Sequence, residues 1–65
     1  MRILVNGAWR ETHGAELATL LQELGYADSV VSTAVNGEFI PVTARAGTAL
    51  ADGDRVEVLA PMQGG

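Results

Sequence analysis

The 65-residue sequence contains no cysteine and no lysine. The first absence removes thiol catalysis, Cys-ligated zinc, iron–sulfur ligation and a disulfide framework together. Secreted domains of this size usually carry disulfides, so a cytoplasmic setting is expected. The second absence leaves no ε-amine on which another copy of the chain could be ligated. It also leaves only four basic side chains, Arg2, Arg10, Arg45 and Arg55, spread without a basic run. Against eight acidic residues they give a formal charge of −4. No nucleic-acid partner is expected from that balance, and an acidic surface is steered instead toward basic patches on proteins. No stretch approaches the ~18 apolar residues of a membrane span. Arg2-Ile3-Leu4-Val5 followed by a turn is too short and too punctuated for a signal peptide, so no membrane association is expected. The lone histidine, His13, has no cysteine or second histidine to share a metal, and no metal site is expected.

What remains is enough for one small folded domain. Hydrophobic residues make up 48% of the chain, sufficient for a compact core, although a domain this short leaves little room for an enclosed enzyme pocket. Ile3-Leu4-Val5 enters an Asn6-Gly7 turn, a sequence that supplies the positive φ angles of a two-residue hairpin, and Trp9 to Thr12 provides the returning strand. Leu17, Leu20, Leu21 and Leu24 recur at i, i+3, i+4 and i+7, which predicts a helix from about Gly14 to Leu24 with Gly25 as its stop. A second hairpin is predicted from Val30 to Val35, a second Asn-Gly at Asn36-Gly37, and Phe39-Ile40-Pro41-Val42. Pro41 lacks an N–H, so its strand belongs at a sheet edge. Thr43 to Asp54 is rich in turn formers and small residues and closes on Asp52-Gly53-Asp54, ahead of an alternating strand from Arg55 to Leu59.

One helical stripe needs one sheet face to cover it. The order β-β-α-β-β-β therefore predicts an α+β domain in which a mixed sheet of about five strands packs on one helix. The expected core is Ile3, Val5, Leu17, Leu20, Leu21, Leu24, Val35, Ile40, Val56 and Val58. In strand register Leu4 and Leu59 fall on the opposite face, where with Phe39 and Met62 they are candidates for a partner-binding apolar patch. Phe39 is equally assignable to the core, and Trp9 is expected to cap the sheet edge.

The sequence closes on Pro61-Met62-Gln63-Gly64-Gly65, and a domain at residues 1–60 with a tail at 61–65 is expected. Two glycines make the thinnest possible peptide and adopt φ angles closed to other residues, so such a tail can enter a narrow channel. Its α-carboxylate is ionised at neutral pH and can attack an activated phosphate. Gly65 is accordingly the candidate reactive residue and Gly64 the residue that grants access.

These pieces carry a family resemblance. Ile3-Leu4-Val5-Asn6-Gly7, the leucine helix, Val35-Asn36-Gly37-Glu38-Phe39-Ile40-Pro41, Asp52-Gly53-Asp54-Arg55-Val56-Glu57 and Gly64-Gly65 together resemble the ThiS family of ubiquitin-like β-grasp sulfur carriers of thiamin biosynthesis. The stretch after Pro41 departs from the family pattern, with Val42 where a basic residue is common. The resemblance implies that an E1-like, ThiF-like adenylating enzyme uses ATP and magnesium to activate the Gly65 carboxylate. Sulfur from a donor such as a cysteine desulfurase then displaces AMP to leave a thiocarboxylate, and a ThiG-like thiazole synthase takes that sulfur. No cofactor bound by this chain is implied, and the chain is a substrate of enzymes and not itself one. Three other roles fit the same residues: a sulfur carrier for molybdopterin or another cofactor, a ubiquitin-like protein modifier, and a β-grasp binding module with an inert tail. Asp28-Ser29-Val30 resembles a phosphopantetheine attachment site, but that fold is all-helical, and here the serine leads into a β-branched run.

Overall fold

The computed structural model describes residues 1–27 and 29–60. Its elements are β1 (Arg2–Val5), β2 (Ala8–Glu11), α1 (Leu17–Glu23), β3 (Ser32–Val35), β4 (Glu38–Ile40), a 3-10 turn (Val42–Gly47) and β5 (Arg55–Leu59). The strands form one five-stranded sheet in the order β2-β1-β5-β3-β4. β1 and β5 run parallel at its centre, with Val5 opposite Val56. The remaining neighbours are antiparallel. This mixed sheet crossed by one helix is the ubiquitin-like β-grasp arrangement.

Both hairpins turn on the expected asparagines. Asn6 has φ 49 and Gly7 φ 84, and Asn36 and Gly37 repeat the pattern at 51 and 85. Two consecutive positive φ values are what a type I′ turn needs to match the twist of its strands. Strand alternation then separates the faces. Ile3, Val5, Val56 and Val58 are buried against Leu17, Leu20 and Leu21 of α1. Burying a leucine or valine contributes roughly 1.5–3 kcal/mol, so these seven side chains dominate the cohesion of the domain.

Several expectations are corrected in detail. α1 begins at Leu17 and not Gly14, because residues 15–17 are engaged elsewhere: Leu50 donates to the Ala15 carbonyl at 2.9 Å and Leu17 to the Thr48 carbonyl at 2.9 Å. That pairing buries Leu50, which with Val31 joins the core, while Leu24 and Val35 are half-buried at its margin. β4 stops at Ile40, ahead of Pro41, and lies at the sheet edge. The segment after Pro41 is a 3-10 turn, anchored by Ala44 donating to the Pro41 carbonyl at 2.9 Å. Arg45 ties this turn to the sheet, donating from Nη2 to the Val31 carbonyl (2.6 Å) and from Nε to Thr33 Oγ1 (3.1 Å). Thr33 is buried, and its hydroxyl donates in turn to the Ile40 carbonyl at 2.8 Å.

Candidate functional site

β5 is the element from which the chain continues toward its glycines, and its last residues are held on both sides. On one side Thr33 and Ser32 of β3 stand opposite Val58 and Leu59. On the other, where β1 has already turned away, the Asn6 carboxamide takes over: its Oδ1 accepts from the Val58 N–H at 2.9 Å and its Nδ2 donates to the Val58 carbonyl at 3.0 Å. The sequence marked Asn6 only as a turn former. Its second role depends on a strand some fifty residues away, which local pattern does not reveal.

With Val56 and Val58 turned toward the helix, Glu57 and Leu59 project from the opposite face of the sheet, which no other described element covers. Leu59 is 64% and Phe39 65% exposed, which assigns Phe39 to the surface and not the core. The two line one shallow groove of about 120 Å³ together with Ser32, Thr33, Ala34 and Glu57. Leu4 is half-buried and lies in a neighbouring depression of about 260 Å³ with Asn6, Gly7, Arg55 and Val56, and Glu57 contributes to both. The sheet thus brings Phe39 and Leu59 together and sets Leu4 across Glu57 from them. Trp9 stands opposite Leu4 on the edge strand β2, half-exposed, with the Arg2 guanidinium 4.5 Å from its ring centroid. Met62, Gly64 and Gly65 lie outside the described residues.

Both grooves fall below the ~300–1,000 Å³ of small-molecule pockets, so among the described residues the outer face suits a protein surface better than a substrate. Among the same residues no cluster of three or more His, Cys, Asp or Glu side chains is placed to hold a metal. Nor is a helix present that is long and apolar enough to cross a membrane. Among the described residues the carboxylate with a displaced pKa, Glu23, sits on the helix and away from this face. It is lowered by the Thr12 hydroxyl and the His13 N–H, against a smaller opposing effect of desolvation.

Residues 3–65 match the family model described as ThiS family. The chain belongs to the ThiS family. A crystal structure of the thiamine biosynthesis protein ThiS from Geobacter metallireducens is similar to it at a TM-score of 0.82 and 36% sequence identity, covering 100% of each chain. An NMR solution structure of a thiamine biosynthesis protein from the same organism gives 0.78 and 36%, covering 100% of this chain and 88% of that one. A comparison with curated proteins gives no match. The ThiS-family match extends through Gly64 and Gly65 and also includes the Asn6-Gly7 turn that clips β5, so body and glycine end are matched as one unit.

Proposed function

We propose that this chain is a cytoplasmic sulfur carrier of thiamin biosynthesis, with residues 1–60 as the folded body and 61–65 as the segment that is chemically charged. The observation that supports it most is the family match running to residue 65 on a body whose last strand is firmly anchored. In this reading the Gly65 carboxylate attacks the α-phosphorus of ATP on a ThiF-like partner that supplies magnesium, and pyrophosphate leaves. The terminal sulfur of a persulfide, delivered by a donor such as a cysteine desulfurase, next attacks the acyl carbon and AMP leaves; a thiol then cleaves the sulfur–sulfur bond, taking the donor's cysteine sulfur into a disulfide. The resulting thiocarboxylate is consumed by a ThiG-like thiazole synthase. The chain's part is to present an acyl group on a thin stem, with Gly64 giving access and Phe39, Leu59, Leu4 and Met62 as the docking surface. Having neither cysteine nor lysine, it offers no thiol to capture the adenylate and no ε-amine to be acylated by it.

Intact mass after incubation with activating enzyme, ATP, sulfur donor and a thiol reductant tests the reading. Replacement of one oxygen by sulfur adds about 16 Da at the terminal acyl group. Removal of Gly65 abolishes the gain while the far-ultraviolet circular dichroism spectrum stays that of the folded chain. An unchanged mass of the full chain with a competent partner overturns the proposal.

A further inference from the structure

We infer that Asn6 is a positioning residue for the carboxyl-terminal segment, acting through the end of β5. The consequence for sulfur loading rests on the carrier reading above, whereas the clip itself does not. In the parallel ladder between β1 and β5, Leu4 donates to the Asp54 carbonyl and Asn6 to the Val56 carbonyl, each at 3.0 Å. Continued by its own spacing, the ladder would next have the Val58 N–H donate to the main-chain carbonyl of Asn6. That carbonyl is turned away, since φ 49 at Asn6 and 84 at Gly7 fold the chain back into β2. The side-chain carboxamide supplies the missing acceptor, and it supplies a donor for the Val58 carbonyl as well. One planar group thereby satisfies both main-chain polar atoms of Val58 on that edge, adding two bonds to the ladder beyond the last residue of β1.

The second asparagine shows that this placement is particular. Asn36 has the same turn conformation, but its amide donates to Asp54 Oδ1 (3.0 Å) and accepts from the Arg55 N–H (2.9 Å). The two side chains thus bracket β5, Asn36 at its entry and Asn6 at its exit. Without the Asn6 amide, the end of the strand keeps partners only on the β3 side, and the stretch held from both sides retreats from Val58 to Val56. Five residues span at most about 17 Å when extended, so the distance over which residues 61–65 can deliver an acyl group is set by where their root is held. A loosened root adds conformations that must be given up on capture by a partner, and capture weakens while chemistry after capture is unchanged.

The test uses the full chain in three variants. Asn6→Gly keeps the positive φ and removes the amide, Asn36→Gly does the same at the other turn, and Asn6→Asp keeps an acceptor for the Val58 N–H while losing the donor. Amide exchange read by NMR needs no partner enzyme. We expect Val58 to exchange at least about tenfold faster in Asn6→Gly than in Asn36→Gly when both are corrected to equal global stability, with protection restored in Asn6→Asp. In the loading reaction Asn6→Gly raises KM for the carrier by roughly five- to tenfold with kcat within about twofold, Asn6→Asp returns part of that loss, and Asn36→Gly changes neither. Unaltered Val58 exchange in Asn6→Gly overturns the clip. Faster exchange with unchanged KM, or an equal rise in KM for Asn36→Gly, overturns the positioning role. If the wild-type chain fails to gain sulfur, the carrier reading fails, and the exchange result still decides the clip.

Discussion

At the scale of single residues, the densest polar contact among the described residues is made by an exposed side chain. Glu23 accepts from the Thr12 hydroxyl, from the His13 N–H at 3.2 Å and from the Gly14 N–H at 3.0 Å, so the last turn of α1 holds the connection that leads into it. These donors favour the charged carboxylate, the Thr12 hydroxyl most, and its pKa is lowered from 4.5. A depressed pKa stabilises the fold above the unfolded value and loses that contribution as pH falls through the folded one. Glu23→Gln is therefore less stable than the wild type near neutrality, and the gap closes as pH drops below about 4.5, the unfolded carboxylate range. Urea midpoints of both proteins from neutral to acid pH check this, and a gap that persists in acid contradicts it. Gly14 closes the same corner by size. A Cβ there would stand 2.5 Å from Thr19 Cγ2 and 2.6 Å from Thr19 Cβ. Because the Thr19 Cβ is carried by the helix backbone and cannot rotate away, Gly14→Ala destabilises by roughly 1–3 kcal/mol, the usual cost of overpacking, in urea unfolding.

At the scale of elements, the helix stop was legible and the helix start was not. Gly25 has φ 88, its N–H bonds the Gln22 carbonyl, and the Tyr26 N–H reaches back to the Leu21 carbonyl at 2.8 Å. That pair of bonds is a Schellman cap, in which glycine sits where a Cβ would be strained. Gly25→Ala should lower stability by roughly 1–2 kcal/mol, the cost of left-handed backbone for an L-residue, measurable as a fall in the unfolding midpoint. The leucine spacing that announced α1 is a local signal, so its buried stripe was readable. Its first turn was lost to residues 48–50, a pairing made across more than thirty residues that periodicity cannot register. The same reason hid Leu50 and Val31 from the expected core, since each is buried by a connection and not by an alternating strand. Asn6 and Asn36 were legible as turns because turn geometry is local, while the different destinations of their amides follow from the path of β5. Glu57, named beforehand only within its strand and in the family-resemblance stretch, lines both the Phe39–Leu59 groove and the Leu4 depression.

At the scale of the whole molecule, one short helix covers one face of a five-stranded sheet and, among the described residues, leaves the other open. Leu4, Leu59, Phe39 and Trp9 occupy that open face, against a molecular charge of −4. Exposed apolar groups gathered beside the strand that leads to the chain's end contribute little to the fold, because they remain in contact with water after folding. They fit a surface that is covered only when a partner docks. Folding and docking should therefore separate under mutation. Phe39→Ser and Leu59→Ser each shift the folding free energy by no more than about 0.5 kcal/mol, as expected where no core contact is lost. In the sulfur-loading reaction, at carrier concentrations well below KM, each slows the mass gain by about tenfold, corresponding to an interface residue worth about 1.4 kcal/mol. Val42→Ser is the matched control: Val42 is equally exposed but belongs to the 3-10 turn that packs beside α1, and its loss leaves both measurements near wild type. Loss of loading in all three variants would place the docking surface on no particular face. Retention in Phe39→Ser and Leu59→Ser would move it off the open side of the sheet, leaving those apolar groups without a role in partner recognition.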